Sequence, residues 1–355
     1  MTSLRPLVEL SPPAPVRADR LVPPPRFERV SFDSYRPQHA SQATALARVL
    51  AFVEDAERAL RTAPARRFGW PGGRRRASGR GLYLDGGFGV GKTHLLAAAF
   101  FRADVEHKHY LSFQELVYLI GVLGMERARE ALGGARLLLI DEFELDDPGN
   151  TLIVKTFLGA LADAGGYVLT TSNTAPEAQG SGRFNADDFR REIQSLAERF
   201  ETVTMDGPDF RHREQLGSWA RDDAFERSCH DATAPAPRYF GTFDELLALL
   251  ASLHPSRYDG LLRQIGTLYL ADVERIATQN DALRFVHFVD KLYDLGVRLR
   301  ASGDVPLSEL FDASYRDSAY AKKHLRCLSR LSELLAEEVG AAPVETSMAV
   351  TAAHR

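Results

Sequence analysis

The chain has 355 residues, 45% of them hydrophobic, which leaves room for one large or two ordinary folded domains with a sizeable core. Its 44 basic and 48 acidic residues give a formal charge of −4, with no overall pull toward nucleic acid or an anionic membrane, so any such contact must be local. Only two cysteines occur, Cys229 and Cys327, without metal-ligand spacing, and no apolar run approaches the roughly 18 residues of a membrane span; a disulfide framework, a zinc site, a transmembrane segment and a signal peptide are all disfavoured, and a reducing cytoplasm fits.

Residues 1–26 carry seven prolines and little periodicity, which predicts an extended or disordered leader. A helix follows from Ser41, with Leu46, Val49, Leu50 and Val53 on one face. Tyr35, just before it, is a candidate adenine contact, with core packing as its alternative. Between this helix and the next element, residues 66–80 place six arginines around Trp70. Such a cluster could bind nucleic acid, acidic lipid at a membrane periphery or an acidic partner, while its Gly/Pro content also fits a surface loop.

Residues 86–93, Gly86-Gly87-Phe88-Gly89-Val90-Gly91-Lys92-Thr93, match the phosphate-binding pattern G-x-x-x-x-G-K-[ST]. From average residue usage, a chain of this length holds roughly 0.01 chance matches. A short buried strand (81–85) precedes the motif and a Gly-free helix (92–101), carrying His94 in its first turn, follows it. Strand, glycine turn and helix let backbone N–H groups close around a phosphate at a positive helix end. Lys92 is then placed for the β- and γ-phosphates of ATP and Thr93 for Mg²⁺.

Residues 136–142 form an apolar run ending in Asp141 and Glu142, the way a central parallel strand delivers acids to the carboxyl edge of a sheet. Asp141 is the candidate metal-shell acid and Glu142 the candidate base for the attacking water. A third strand, 167–172, ends at Asn173, a candidate sensor of the terminal phosphate, with a turn-forming role as its alternative. The expected order is strand 81–85, helix 92–101, strand 108–111, helix 112–123, strand 136–141, helix 151–164, strand 167–172, helix 187–199 and strand 201–205. Alternation of this kind predicts an α/β parallel sheet covered on both faces, a P-loop ATPase core over 27–206.

Residues 207–238 are polar and broken by three prolines, which predicts a linker before a C-terminal mixed α/β, mostly helical region at 239–340. That region opens on a capping box, Thr242 to Glu245. Residues 267–303 align without gaps to 137–173 at an offset of 130, with Ala271 in the place of Asp141. Both duplication and convergence of two βαβ-like units are open here. A closing helix near 319–337 and a loose tail at 341–355 complete the chain.

Phe-Asp-Ser-Tyr35, GGFGVGKTHL, LLLIDEF, TTSN, Gly182-Arg-Phe184, Asp209-Phe-Arg211, YLADV…RFVHFVDKLYDLGVRL and Arg326-Cys-Leu-Ser-Arg-Leu331 together resemble the ZapE/AFG-type ATPases, AAA+ related proteins, over about 27–340. Two motifs depart from the family's usual form, Phe210 standing for a tyrosine and Cys327 for a threonine. The resemblance implies ATP hydrolysis, a ring-like homo-oligomer, a role in bacterial cell division and a protein partner such as the division filament. It also implies a further arginine at the γ-phosphate, with Arg183 and Arg199 as candidates to act in trans, and Arg326 and Arg330 as a candidate cis sensor of the nucleotide. Helix-end ion pairs and a solvated helix face are the plainer alternatives for these four.

Overall fold

The computed structural model describes residues 4–10, 21–62, 79–87, 89–132, 134–144, 148–173, 200–207, 218–231, 233–317 and 320–336. The chain opens with a short strand β1 (Leu4–Pro6) and reaches helix α1 (Ala40–Thr62). The first sheet unit then runs β2 (Gly81–Gly86), α2 (Lys92–Arg102), β3 (Lys108–Ser112), α3 (Phe113–Leu123), α4 (Met125–Ala131), β4 (Leu137–Asp141), α5 (Pro148–Asp163), β5 (Tyr167–Thr171) and β6 (Phe200–Met205). All its strands are parallel, in the order β3-β4-β5-β2-β6. Leu137, Leu138, Leu139 and Ile140 are each fully buried, as a strand covered by helices on both faces requires. Because β5 lies between β4 and β2, with Ile140 opposite Thr170 and Thr171 opposite Leu84, the acids after β4, the polar end of β5 and the glycine loop after β2 meet at one carboxyl edge.

The second unit runs α6 (Asp222–Cys229), β7 (Arg238–Thr242), α7 (Phe243–Ser252), α8 (Tyr258–Leu262), β8 (Thr267–Val273), α9 (Gln279–Leu295), β9 (Arg298–Gly303) and α10 (Ala321–Ala336). Its sheet is again parallel, in the order β1-β7-β8-β9. Phe285, Phe288, Val289 and Leu292 of α9 are buried in one core with Phe243, Leu246 and Leu250 of α7. The internal similarity reaches further back than 267–303. Ser112 with Glu115 and Thr242 with Glu245 form capping boxes 130 residues apart, and Glu142 (φ 53°) and Asp272 (φ 58°), also 130 apart, are the two non-glycine residues with positive φ among those described. The unit β3-α3-β4-α5-β5 thus recurs as β7-α7-β8-α9-β9, with Asp141 replaced by Ala271.

Two expectations are corrected. The leader over 1–26 is ordered in parts: β1 pairs with β7, Leu7 and Leu10 are buried in the C-terminal core, and the Leu21 carbonyl accepts the Tyr110 N–H at 2.8 Å. A sheet edge supplies the backbone partners that a proline-rich segment cannot find within itself, and Pro6, which lacks an N–H, sits at the end of an edge strand where proline is tolerated. The expected linker over 207–238 contains α6, whose Phe225 packs against Tyr269 and Ala271 of β8. Residues 66–78 of the Arg-rich stretch, the helix expected at 187–199 and the tail lie outside the described residues. Arg80, at the end of that stretch, pairs with Asp55 of α1 at 2.9 Å.

Candidate active site

The glycine loop is held from below. Gly89 and Gly91 have φ of 68° and 90°, conformations that cost a side-chain-bearing residue, and a Cβ on Gly91 would stand 2.6 Å from the Tyr35 ring. Tyr35 is buried and its hydroxyl donates to the Val90 carbonyl at 3.0 Å, so its role in this structure is to brace the loop. Burial pushes that phenol up to about 12. His94 packs edge-on against Tyr35 and bonds Ser34 Oγ (3.0 Å) and the Ser31 carbonyl (3.1 Å), which fixes the first turn of α2.

Lys92 is buried, and its Nζ donates to the carbonyls of Gly86 (2.8 Å) and Gly87 (2.5 Å) and to Asn173 Oδ1 (3.0 Å). The lysine, the loop and the tip of β5 are thereby tied into one cleft, which Gly89, Val90, Gly91, Thr93, His94 and Ser172 also line. Across it, Thr93 Oγ1 lies 3.2 Å from Asp141 Oδ1. A hydroxyl and a carboxylate are hard oxygen donors of the kind Mg²⁺ takes alongside substrate phosphates, so the residues present fit that ion.

Asp141 has two further partners that sequence reasoning did not single out. Tyr110 of β3 donates to its Oδ2 at 3.0 Å, and the Thr171 hydroxyl donates to its Oδ1. Thr171 Oγ1 also accepts the Glu142 backbone N–H at 3.1 Å, so one hydroxyl orients both acids. Burial, followed by the neighbouring Glu142 carboxylate, raises the Asp141 pKa, against the lowering effect of the Thr171 and Tyr110 bonds and of Arg330.

Glu142 leaves the sheet in the left-handed region and points toward the C-terminal unit. Its Oε1 accepts from Arg330 at 3.1 Å and lies 3.4 Å from Arg326. Both arginines come from α10, are almost fully buried and line the phosphate cleft, which excludes the solvated helix face as their setting. Burial opposes the charge on each, yet the carboxylates of Asp290 and Glu142 outweigh it and raise both pKa values. Further ion pairs cross between the units, Lys291 to Glu115 (3.1 Å), Lys323 to Glu144 (2.9 Å) and Arg326 to Glu144 (3.7 Å). A cavity of about 520 Å³ lies between the units on the far side of the acids and shares Asp141, Glu142 and Arg326 with the cleft. Arg26 and Phe27 also line the cleft, Arg26 stacking over Tyr293 (3.7 Å) and pairing with Glu333 (2.7 Å). Phe88, Arg183 and Arg199 lie outside the described residues.

A parallel sheet whose carboxyl edge gathers a glycine loop with its lysine, a threonine beside an aspartate and an adjoining glutamate defines a P-loop nucleotide hydrolase. The family described as AFG1-like ATPase matches residues 22–248 and 239–342. The chain belongs to that family and is an ATPase. It is 26% identical over 303 residues to the cell division protein ZapE of Escherichia coli (strain K12), covering 73% of this chain and 79% of that protein. It is 25% identical over 304 residues to lactation elevated protein 1 homolog B of Danio rerio, covering 69% of this chain and 60% of that one. Among solved structures, AMPPCP-bound DnaA from Aquifex aeolicus is similar at a TM-score of 0.37 and 12% identity, covering 85% of this chain and 80% of that one. No helix among the described residues is long and apolar enough to cross a membrane.

Proposed function

We propose that this ATPase uses Mg²⁺ and couples hydrolysis to a conformational change that acts on a protein partner, the division filament being the first candidate because of the similarity to a cell division protein. The observation that carries the coupling is the ion pairing of Glu142 with Arg326 and Arg330. The group placed to activate water is held by the C-terminal unit, so a change at the phosphates and a movement of α10 against the core share the same contacts.

In this reading Lys92 and the loop N–H groups hold the phosphates, Thr93 and Asp141 hold the metal, and Asn173 reports the terminal phosphate through the bond it accepts from Lys92. Bound Mg²⁺ supplies charge neutralisation on the phosphate oxygens. Glu142 takes the proton from the attacking water once its carboxylate is free of the arginines. Arg183 or Arg199 supplies a further cation from a neighbouring copy of the chain in a homo-oligomer.

ATP turnover measured with filament protein, with single-stranded DNA and with neither tests the partner. Stimulation by the filament protein is expected; stimulation by DNA alone would reassign the machine to nucleic acid. Mixing a Glu142→Gln chain with Arg183→Ala or Arg199→Ala chains tests the assembly. Recovered hydrolysis is expected for one of the two arginines. Activity independent of protein concentration, with no recovery for either, would leave a monomeric switch.

A further inference from the structure

Arg326 and Arg330 stand one turn apart on α10, so their guanidiniums share a face, and two neighbouring cations in a buried setting repel unless an anion lies between them. Glu142 is one such anion, but it is not their tightest partner. Asp290 of α9 accepts a hydrogen bond from Arg326 Nη2 on Oδ2 at 2.6 Å, and its Oδ1 lies 2.5 Å from Arg330 Nη1 as an ion-pair contact, one arginine beside each oxygen. The contacts to Glu142 are longer, 3.4 and 3.1 Å, and use the other ends of the guanidiniums. The two carboxylates also differ in setting. Asp290 is 6% exposed within a helix whose neighbours Phe288, Val289 and Leu292 are core residues; Glu142 is 27% exposed, on a turn at the sheet edge.

We propose that Asp290 is a positioning residue for nucleotide hydrolysis, a fixed anchor that holds Arg326 and Arg330 as a pair while their outer ends exchange Glu142 for the terminal phosphate of a nucleoside triphosphate. The chemistry favours such an exchange because phosphate oxygens accept guanidinium donors in the same bidentate manner as a carboxylate. Both arginines already line the phosphate cleft. When they turn to phosphate, Glu142 is released to act on water, so the same movement that senses a third phosphate frees the base. Without Asp290 the nearest carboxylate left to the pair is Glu142, with Glu144 at 3.7 Å from Arg326 and Asp294 at 4.0 Å from Arg330, so the arginines are no longer preset for phosphate and keep the base paired. This inference rests on the P-loop site described above and goes beyond it by assigning the ATP-over-ADP preference to a residue outside the cleft.

The test is equilibrium binding of fluorescent ADP and of a non-hydrolysable ATP analogue to the full chain. For Asp290→Asn we expect ADP affinity within about twofold of wild type and a fall of about tenfold or more in the preference for the ATP analogue, the size of one charge-assisted contact. Asp290→Glu, which keeps the carboxylate, is expected to restore most of that preference. Lys291→Gln is the control: it breaks another ion pair between the units on the same helix and should leave the preference unchanged. A merely structural Asp290 would lower the melting temperature and weaken both ligands alike; an unchanged ratio in Asp290→Asn overturns the proposal. Should that variant not fold, the charge-neutral double variant Asp290→Asn with Arg326→Gln is compared with Arg326→Gln alone. The ATP preference must be lower in the double, and equal preference again overturns the proposal. Failure of the wild-type chain to bind either nucleotide would instead defeat the underlying site assignment.

Discussion

Thr171 offers the sharpest perturbation of the site, because one buried hydroxyl serves both acids. It is 2% exposed, its Oγ1–H donates to Asp141 Oδ1, and the same oxygen accepts the Glu142 N–H at 3.1 Å. Thr171→Val keeps shape and volume and removes both bonds. Losing a hydrogen bond to a charged group costs about 1.5–3 kcal/mol, and orphaning a buried N–H costs about 1–3 kcal/mol. The second cost is taken at the lower end because the bond from the Glu142 N–H is only part-buried. A net loss of about 3 kcal/mol is therefore expected, which at a urea slope of about 3 kcal/mol per molar lowers the midpoint by about 1 M. Hydrolysis should fall about 10- to 100-fold, the usual effect of removing a group that orients a metal ligand. Thr171→Ser keeps the hydroxyl and should retain most of both properties. Urea denaturation and phosphate release on the two variants decide the matter: a valine variant as stable and active as the serine variant would refute the reasoning.

Lys92→Ala should abolish ATP binding and leave the circular dichroism of the folded chain unchanged, since its Nζ donates to the Gly86 and Gly87 carbonyls of the loop and to Asn173 Oδ1; measurable wild-type affinity would remove the phosphate-loop claim. Asp294 gives a pH signature. Burial, opposed in part by Arg330, raises its carboxyl from 3.8 to about 7. The folded state therefore holds the proton more tightly than the unfolded one, so stability from this group is full below pH 3.8 and is lost as pH rises toward 7. Asp294→Asn should accordingly melt higher than wild type at pH 8, with the gap shrinking steadily toward pH 5; a gap that does not change with pH would contradict this.

The phosphate cleft is legible in the linear chain because its chemistry depends on local spacing. A glycine turn, a lysine and a threonine fall within eight residues, and the acids follow an unbroken apolar strand. Asn173 was accessible for the same reason, at the end of a recognisable strand. Thr171 and Tyr110 were not, because what distinguishes them is register: Thr171 becomes Asp141's partner only once β5 lies beside β4, and Tyr110 only once β3 takes the other side. Asp290 is not legible in the sequence because helical periodicity reads α9 through Phe285, Phe288, Val289 and Leu292, and a carboxylate beside that stripe is expected to face water. Its partners are supplied by α10, a separate helix of the C-terminal unit. The leader shows the opposite limit. Seven prolines argue against regular structure within 1–26, and β1 exists only because the edge of β7 is there to pair with it.

The central claim is that Glu142 activates the attacking water and is governed by the arginines of α10. The most direct measurement pairs ATP binding with single-turnover phosphate release in Glu142→Gln. Glutamine keeps the size of the side chain, loses the basic oxygen and weakens the hold on Arg326 and Arg330. The account predicts ATP affinity equal to or tighter than wild type, with hydrolysis slowed by about 10²-fold or more, as for removal of a general base. Hydrolysis at the wild-type rate would contradict the assignment of the base, and loss of ATP binding would show Glu142 to be a structural ion-pair partner instead.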